Sequence, residues 1–174
     1  MSEFGIPEET MLSSQANHND IIKINTFSIR KTLVFIAYID LFIQIINGFT
    51  LVTATNTDNS SYNVSDLHIY GYISFGCAAL ILIGVCGINR YHRYISYGYG
   101  IYLILNILSR LSLIFFFNIS PFTFVFSFLI LIVNIWLLKL LFKFTSNIKN
   151  LSDDDLNELR QGWKPTVVYR VIYY

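Results

Sequence analysis

The sequence predicts an all-α membrane protein, a bundle of four spanning helices, on three observations. The chain holds four apolar runs of about 20 residues, the length a helix rising about 1.5 Å per residue needs to cross about 30 Å of hydrocarbon. Hydrophobic residues make up 54% of its 174 residues and charged ones 13%, well below the roughly 25% charged residues usual in soluble domains. Lysine and arginine outside the runs all fall on one side when the runs are threaded back and forth. The spans are expected at residues 32–55, 69–88, 94–117 and 122–144, between an N-terminal tail with an interfacial segment (1–31) and a C-terminal tail (145–174). Little chain is left over, so a single bundle across 32–144 is expected, with no separate soluble domain.

Residues 1–20 are polar and acidic and offer neither the basic n-region nor the apolar h-region of a secretory signal, which leaves targeting to the first span. Nor are they arginine-rich and acid-poor like a mitochondrial presequence, which disfavours that compartment. Residues 21–31, IIKINTFSIRK, mix isoleucine and phenylalanine with Lys23, Arg30 and Lys31 as a short interfacial segment would. The first span then carries Asp40, Gln44 and Asn47 at i, i+4, i+7, on one helix face.

The loop at 56–67, NTDNSSYNVSDL, has acids but no lysine or arginine, and two glycosylation acceptor patterns at Asn59 and Asn63; a third, Asn118, lies between the third and fourth spans. The second span is rich in Gly, Ala, Ser and Cys, small residues that let backbones approach, and is expected to be the central packing helix. Its cysteines, Cys77 and Cys86, lie nine residues apart on opposite faces and cannot pair with each other. NRYHRY (residues 89–94) then makes a tight basic turn. The third span includes Asn106 and Arg110. The fourth is bulky and aromatic apart from Ser127 and Asn134, as a lipid-facing helix would be. In the tail, Ser152 followed by Asp155 resembles a capping box opening a short helix, which Gly162 ends and Pro165 keeps from resuming.

From Lys23 to Arg170 every lysine and arginine outside the spans lies on one side, so both termini are expected to face the cytoplasm, or the matrix in a mitochondrion. A net charge of +1 points to no nucleic-acid partner. His18, His68 and His92 are scattered without metal-ligand spacing, and no phosphate loop or nucleophile motif occurs, so neither catalysis nor a cofactor is expected.

The polar residues within the spans carry what chemistry there is. Counting the rise from the basic ends puts Gln44 and Asn47 level with Asn106 and Arg110, and Asp40 nearer Asn134. Asp40, Gln44, Asn47, Asn106, Arg110 and Asn134 are therefore expected to form a polar seam inside the bundle, with Asp40 and Arg110 coupled indirectly across roughly two turns. Such a seam serves either as glue between helices, at about 0.6 kcal/mol per hydrogen bond, or as a proton or ion relay using Asp40. One carboxylate without a second acid or a histidine chain favours glue.

Tyr169-Arg170-Val171-Ile172 fits the tyrosine-x-x-apolar signal by which cytosolic tails engage clathrin adaptors, with Tyr169 and Ile172 filling pockets beside a strand edge. With four spans, acceptor sites at Asn59 and Asn63 and that tail signal, the chain resembles the lysosome-associated four-span family and the wider MARVEL-like tetraspan group. It lacks the Pro-Pro-x-Tyr motif frequent in the former, and the loop cysteines of tetraspanins and claudins. The resemblance implies a non-enzymatic protein that organises or sorts partners in endosomal, lysosomal or other endomembranes. The alternatives are an accessory subunit of a larger membrane complex, such as a respiratory one of the mitochondrial inner membrane, and a small transporter.

Overall fold

The structure, a computed structural model, describes residues 8–53, 64–116 and 121–165. Every regular element among them is a helix: α1 (Glu8–Val52), α2 (Val64–Asn89), α3 (Arg93–Phe116), α4 (Pro121–Asn150) and α5 (Asp153–Arg160). The first four each contain a stretch long and apolar enough to cross a membrane, and the chain is a multi-pass helical membrane protein. They pack in a ring, α1 on α2, α2 on α3, α3 on α4 and α4 back on α1, with α5 against α1.

Residues 21–31 are no separate interfacial segment. They continue α1 without a break, burying Lys23, Thr26, Phe27 and Ile29. Ile22, Phe27 and Ile29 join the buried cluster that includes Leu156 and Leu159 of α5, while Ile21 stays exposed. At 45 residues α1 is about 67 Å long, more than twice the hydrocarbon thickness, so it projects well beyond the membrane.

Glycines set the spacing of α2, as its composition predicts. A Cβ at Gly84 would sit 2.3 Å from the backbone nitrogen of Tyr99, and one at Gly87 2.3 Å from that of Ser96, so α3 lies directly on the α2 backbone. On the opposite side of the bundle's length, Gly71 of α2 meets Val52 and Gly48 of α1, and Phe75 covers Gly48.

The basic turn after α2 closes with Tyr91 N–H bonded to the Ile88 carbonyl and His92 N–H to that of Gly87, a pattern whose left-handed position usually holds glycine. Tyr91 occupies it at φ 50°, strain offset by a ring buried to 1% exposure, 6.1 Å from Phe144, with the Arg30 guanidinium 5.1 Å from its centroid. Helix α5 ends in the same way with glycine in that position, Gly162 at φ 95°. Its start is the Ser152 cap expected from the sequence: Asp155 N–H donates to Ser152 Oγ at 3.2 Å.

The core is not spread evenly along the bundle. Ile29, Leu33 and Ala37 of α1, Val85 and Ile88 of α2, Tyr99 and Leu103 of α3 and Leu141 and Phe144 of α4 form one buried cluster toward the end that carries the α2–α3 turn. Beyond Ala37 only Gly48 of α1 is buried, and beyond Leu103 no described residue of α3 is.

Candidate functional site

Two sets of polar side chains stand out, one at the basic end and one inside the spans. At the basic end α5 is latched onto α1. Lys23, 5% exposed in its side chain, donates to Asp155 Oδ1 at 3.0 Å and also to Glu158. Its ammonium lies 5.0 Å from the Trp163 ring, which meets Phe27 edge-on at 6.2 Å. Arg160 adds a bond from Nε to the Arg90 carbonyl at 3.1 Å, tying α5 to the α2–α3 turn. The stretch of α1 around Lys23, this turn, the end of α4 and α5 therefore meet at one end, which gathers the described cations outside the spans. Asp155 is held below the usual carboxylate range, first by the Ser152 hydroxyl, which donates to it at 2.7 Å and outweighs the desolvation that pushes the other way, and then by Lys23.

Inside the spans, α3 presents Tyr99, Tyr102, Asn106 and Arg110 at i, i+3, i+7 and i+11, one face of the helix. The Tyr99 hydroxyl donates to Asp40 Oδ2 of α1 at 2.7 Å. One turn deeper the Tyr102 hydroxyl accepts from Asn106 Nδ2 at 3.2 Å and, more weakly, from Gln44 Nε2 at 3.5 Å. The two tyrosine rings stack at 5.8 Å and are 0% and 3% exposed. The Asp40 carboxylate thus has a buried hydroxyl as its partner, and the row binds α1 to α3 across the ring.

The seam expected from the sequence is in part corrected. Asp40, Gln44 and Asn106 belong to it, but its linking members are Tyr99 and Tyr102, which share a face with Asn106 and Arg110 and could have been found by that spacing. Asn47 is exposed and outside it. Arg110, half-buried, makes no ion pair among the described residues. Asn134 is not level with Asp40. Gly100 of α3 abuts Leu141 of α4, so Asp40 and Tyr99 stand at the depth of Leu141, two turns from Asn134. Counting from the basic ends misplaced Asn134 because α4 runs on to Asn150 and carries its basic end past the others.

In the thinly packed half, Ser127 Oγ and Asn134 Nδ2 of α4 are buried without a hydrogen-bond partner, their residues 1% and 3% exposed. Cys77 is half-buried, Cys86 exposed, and both are free thiols. Among the described residues no three His, Cys, Asp or Glu side chains converge as a metal site would require. The acceptor residues Asn59, Asn63 and Asn118 and the tail signal Tyr169 to Ile172 lie outside the described residues.

Comparison with family models, curated proteins and solved structures finds no match to this chain. The fold and the side chains themselves carry the functional reading.

Proposed function

We propose that this chain is a non-enzymatic multi-pass membrane protein that works by holding partner proteins within an endomembrane, as an integral member of an assembly. The observation that supports this most is the contrast within the bundle. The membrane-embedded carboxylate is consumed in a helix-to-helix bond to Tyr99, as glue would be, while Ser127 Oγ and Asn134 Nδ2 of α4 are buried within a span without a hydrogen-bond partner among the described residues. Buried polar groups in a membrane cost free energy until something satisfies them, so a bundle left in this state is completed by another chain. The basic end faces the cytoplasm on the positive-inside rule, which puts α5 and the tail signal on the side of clathrin adaptors and the acceptor sites Asn59, Asn63 and Asn118 in the lumen.

The test is a native gel after mild solubilisation, together with glycosidase treatment of the native protein. Migration well above the mass of the single chain and a mobility shift on deglycosylation are expected. Migration at its own mass overturns the assembly, and fractionation with mitochondria without a shift overturns the compartment.

A proton-conducting bundle is the second reading, favoured by the Asp40, Tyr99, Tyr102, Asn106 row. In reconstituted vesicles it requires pH-driven flux that Asp40→Asn abolishes, whereas glue requires no flux above empty vesicles.

A further inference from the structure

Along residues 30–42 of α1, two features meet at the membrane surface: a pair of cations and, running down from one of them, a strip of side chains open to lipid. The Arg30 guanidinium lies 5.3 Å and the Lys31 ammonium 4.7 Å from the centroid of the Phe27 ring, so the two positive heads are no more than about 10 Å apart. Arg30 also lies 5.1 Å from the ring of Tyr91, in the turn that joins the spans α2 and α3. That contact fixes their depth. A turn between two spans marks where the chain leaves the hydrocarbon, so Arg30 and Lys31 stand in the headgroup layer, beside Trp163, which meets Phe27 edge-on as an interfacial tryptophan would.

From that layer the strip leads into the membrane. Lys31, Phe35, Tyr38 and Phe42 follow at i, i+4, i+7 and i+11, one face of α1. All four are exposed, and the three aromatic ones are more than half so, left uncovered by every described helix of the bundle.

Neither cation forms an ion pair among the described residues. Asp155 and Glu158 are engaged by Lys23, two turns away along α1, and Asp40 by Tyr99. Asp20 precedes Arg30 by ten residues of continuous helix, about 15 Å, and Glu8 and Glu9 by more than 20, about 30 Å. Asp66 belongs to the start of α2, at the opposite end of the bundle, while Asp153 and Asp154 are exposed at the start of α5. Glu3 and Asp58 lie outside the described residues.

We propose that Arg30 and Lys31 bind the headgroup of an anionic phospholipid, its phosphate between the two cations and an acyl chain lying along Phe35, Tyr38 and Phe42. A guanidinium forks onto phosphate oxygens and an ammonium adds a point charge. A soluble acidic partner would meet the cations and leave the aromatic strip bare, whereas a phospholipid presents an anion and an apolar chain in the order in which α1 presents their partners. The site takes only its leaflet from the orientation read above, the cytoplasmic one, where anionic lipids are concentrated.

The test uses the full chain in phosphatidylcholine vesicles. Trp136→Phe leaves Trp163, 6.2 Å from Phe27, as the only tryptophan. Its quenching is compared for phosphatidylserine and phosphatidylcholine that carry the same nitroxide high on one acyl chain. Association of the phosphatidylserine at least about fivefold tighter is expected, the effect of one cation at an anionic surface. Lys31→Gln, at an exposed position that the fold tolerates, should remove most of the preference, the double variant Arg30→Gln with Lys31→Gln should abolish it, and Lys31→Arg should keep it. Lys139→Gln with Lys143→Gln removes the same charge from the exposed face of α4 and should leave the preference intact. Equal quenching by the two lipids overturns the proposal, as does a preference that survives the double variant. A loss as large in the α4 pair also overturns it, assigning the effect to diffuse surface charge. So does abolition by soluble glycerophosphoserine, which would make this a site for a small anion. A chain that migrates alone on the native gel overturns the assembly reading and leaves the lipid site standing, and a chain without lipid preference does the reverse.

Discussion

The half of the bundle at the basic end and the half away from it are built differently from the same four helices. Near the basic end α3 rides on the backbones of Gly84 and Gly87, Tyr91 is wedged between Arg30 and Phe144, and α5 is strapped across α1 by Lys23 and Trp163. Away from it fewer residues of α1 and α3 are buried. The difference shows where the chain packs most closely. Lipid tails are as apolar as leucine and drive no association, so membrane helices adhere through close backbone approach and polar bonds. The basic end has both, and the other half has its glycine contact only between α1 and α2.

The largest effect that tests this comparison is a methyl group. Gly84→Ala places a Cβ 2.3 Å from a backbone atom that no side-chain rotation can move, so a loss of about 3 kcal/mol or more is expected in thermal unfolding in detergent. Gly76→Ala, with nothing within 4 Å, should change stability by less than about 0.5 kcal/mol. Equal effects at the two positions would mean that α2 and α3 are not in van der Waals contact at Gly84.

Next in size is Tyr99→Phe, which keeps the ring in its packed place and strips the hydroxyl from Asp40. A carboxylate left without its donor inside the bundle costs about 1–3 kcal/mol. Gln44→Leu, which removes the α1 bond to the Tyr102 hydroxyl, should cost less, about 0.6 kcal/mol, the average for a hydrogen bond between membrane helices. A Tyr99→Phe protein as stable as wild type would mean that Asp40 is served by water, which would strengthen the transport reading at the expense of glue.

These residues also show what the sequence could disclose. Four runs of membrane length, the Ser152 cap and the Gly162 stop are local properties, written in composition and spacing, and the structure has them. The small residues of α2 announced close packing, though not which glycines meet α3. Asp40, Gln44 and Asn106 were recognisable because polar residues are rare in spans, but Tyr99 and Tyr102 hid among the aromatic residues expected at membrane interfaces. Their role depends on helix register, which here is set by where α4 ends and where glycines let α3 settle, both tertiary facts. The continuation of α1 through residues 21–31 was hidden for a related reason: an amphipathic stretch reads the same whether its apolar side meets lipid or another helix.

The latch comes third. Lys23→Gln removes two ion pairs and the ammonium over Trp163 while leaving α5 its cap, and because Glu158 is more than half exposed the loss is modest, about 1–2 kcal/mol. Limited proteolysis should cut the chain after α4 faster in this variant while the four-helix bundle stays protected. Cleavage at the wild-type rate would mean that Phe27 and Arg160 hold α5 without the charge.

The smallest effect is the pH response of that latch, and its sign follows from Asp155. The Ser152 hydroxyl and Lys23 hold the folded carboxylate below its ordinary value. Docked α5 therefore binds fewer protons than released α5 over the interval between the two values, and docking is favoured by deprotonation. The contribution is fully present above the unfolded value of about 3.9 and is lost as the pH falls through the lower folded value. Acidification from neutral to about pH 5 should leave the latch closed, since that is still above the unfolded value, with protease access rising only below about pH 4. Ser152→Ala removes the largest cause of the depression, so its acid release should begin at higher pH, on top of a pH-independent loss of about 1 kcal/mol from the missing cap. Asp155→Asn should abolish most of the response and open the latch partway at neutral pH. A latch that opens at pH 6 in wild type would place the switch on a group other than Asp155 and would separate the acid response from the Lys23 contact altogether.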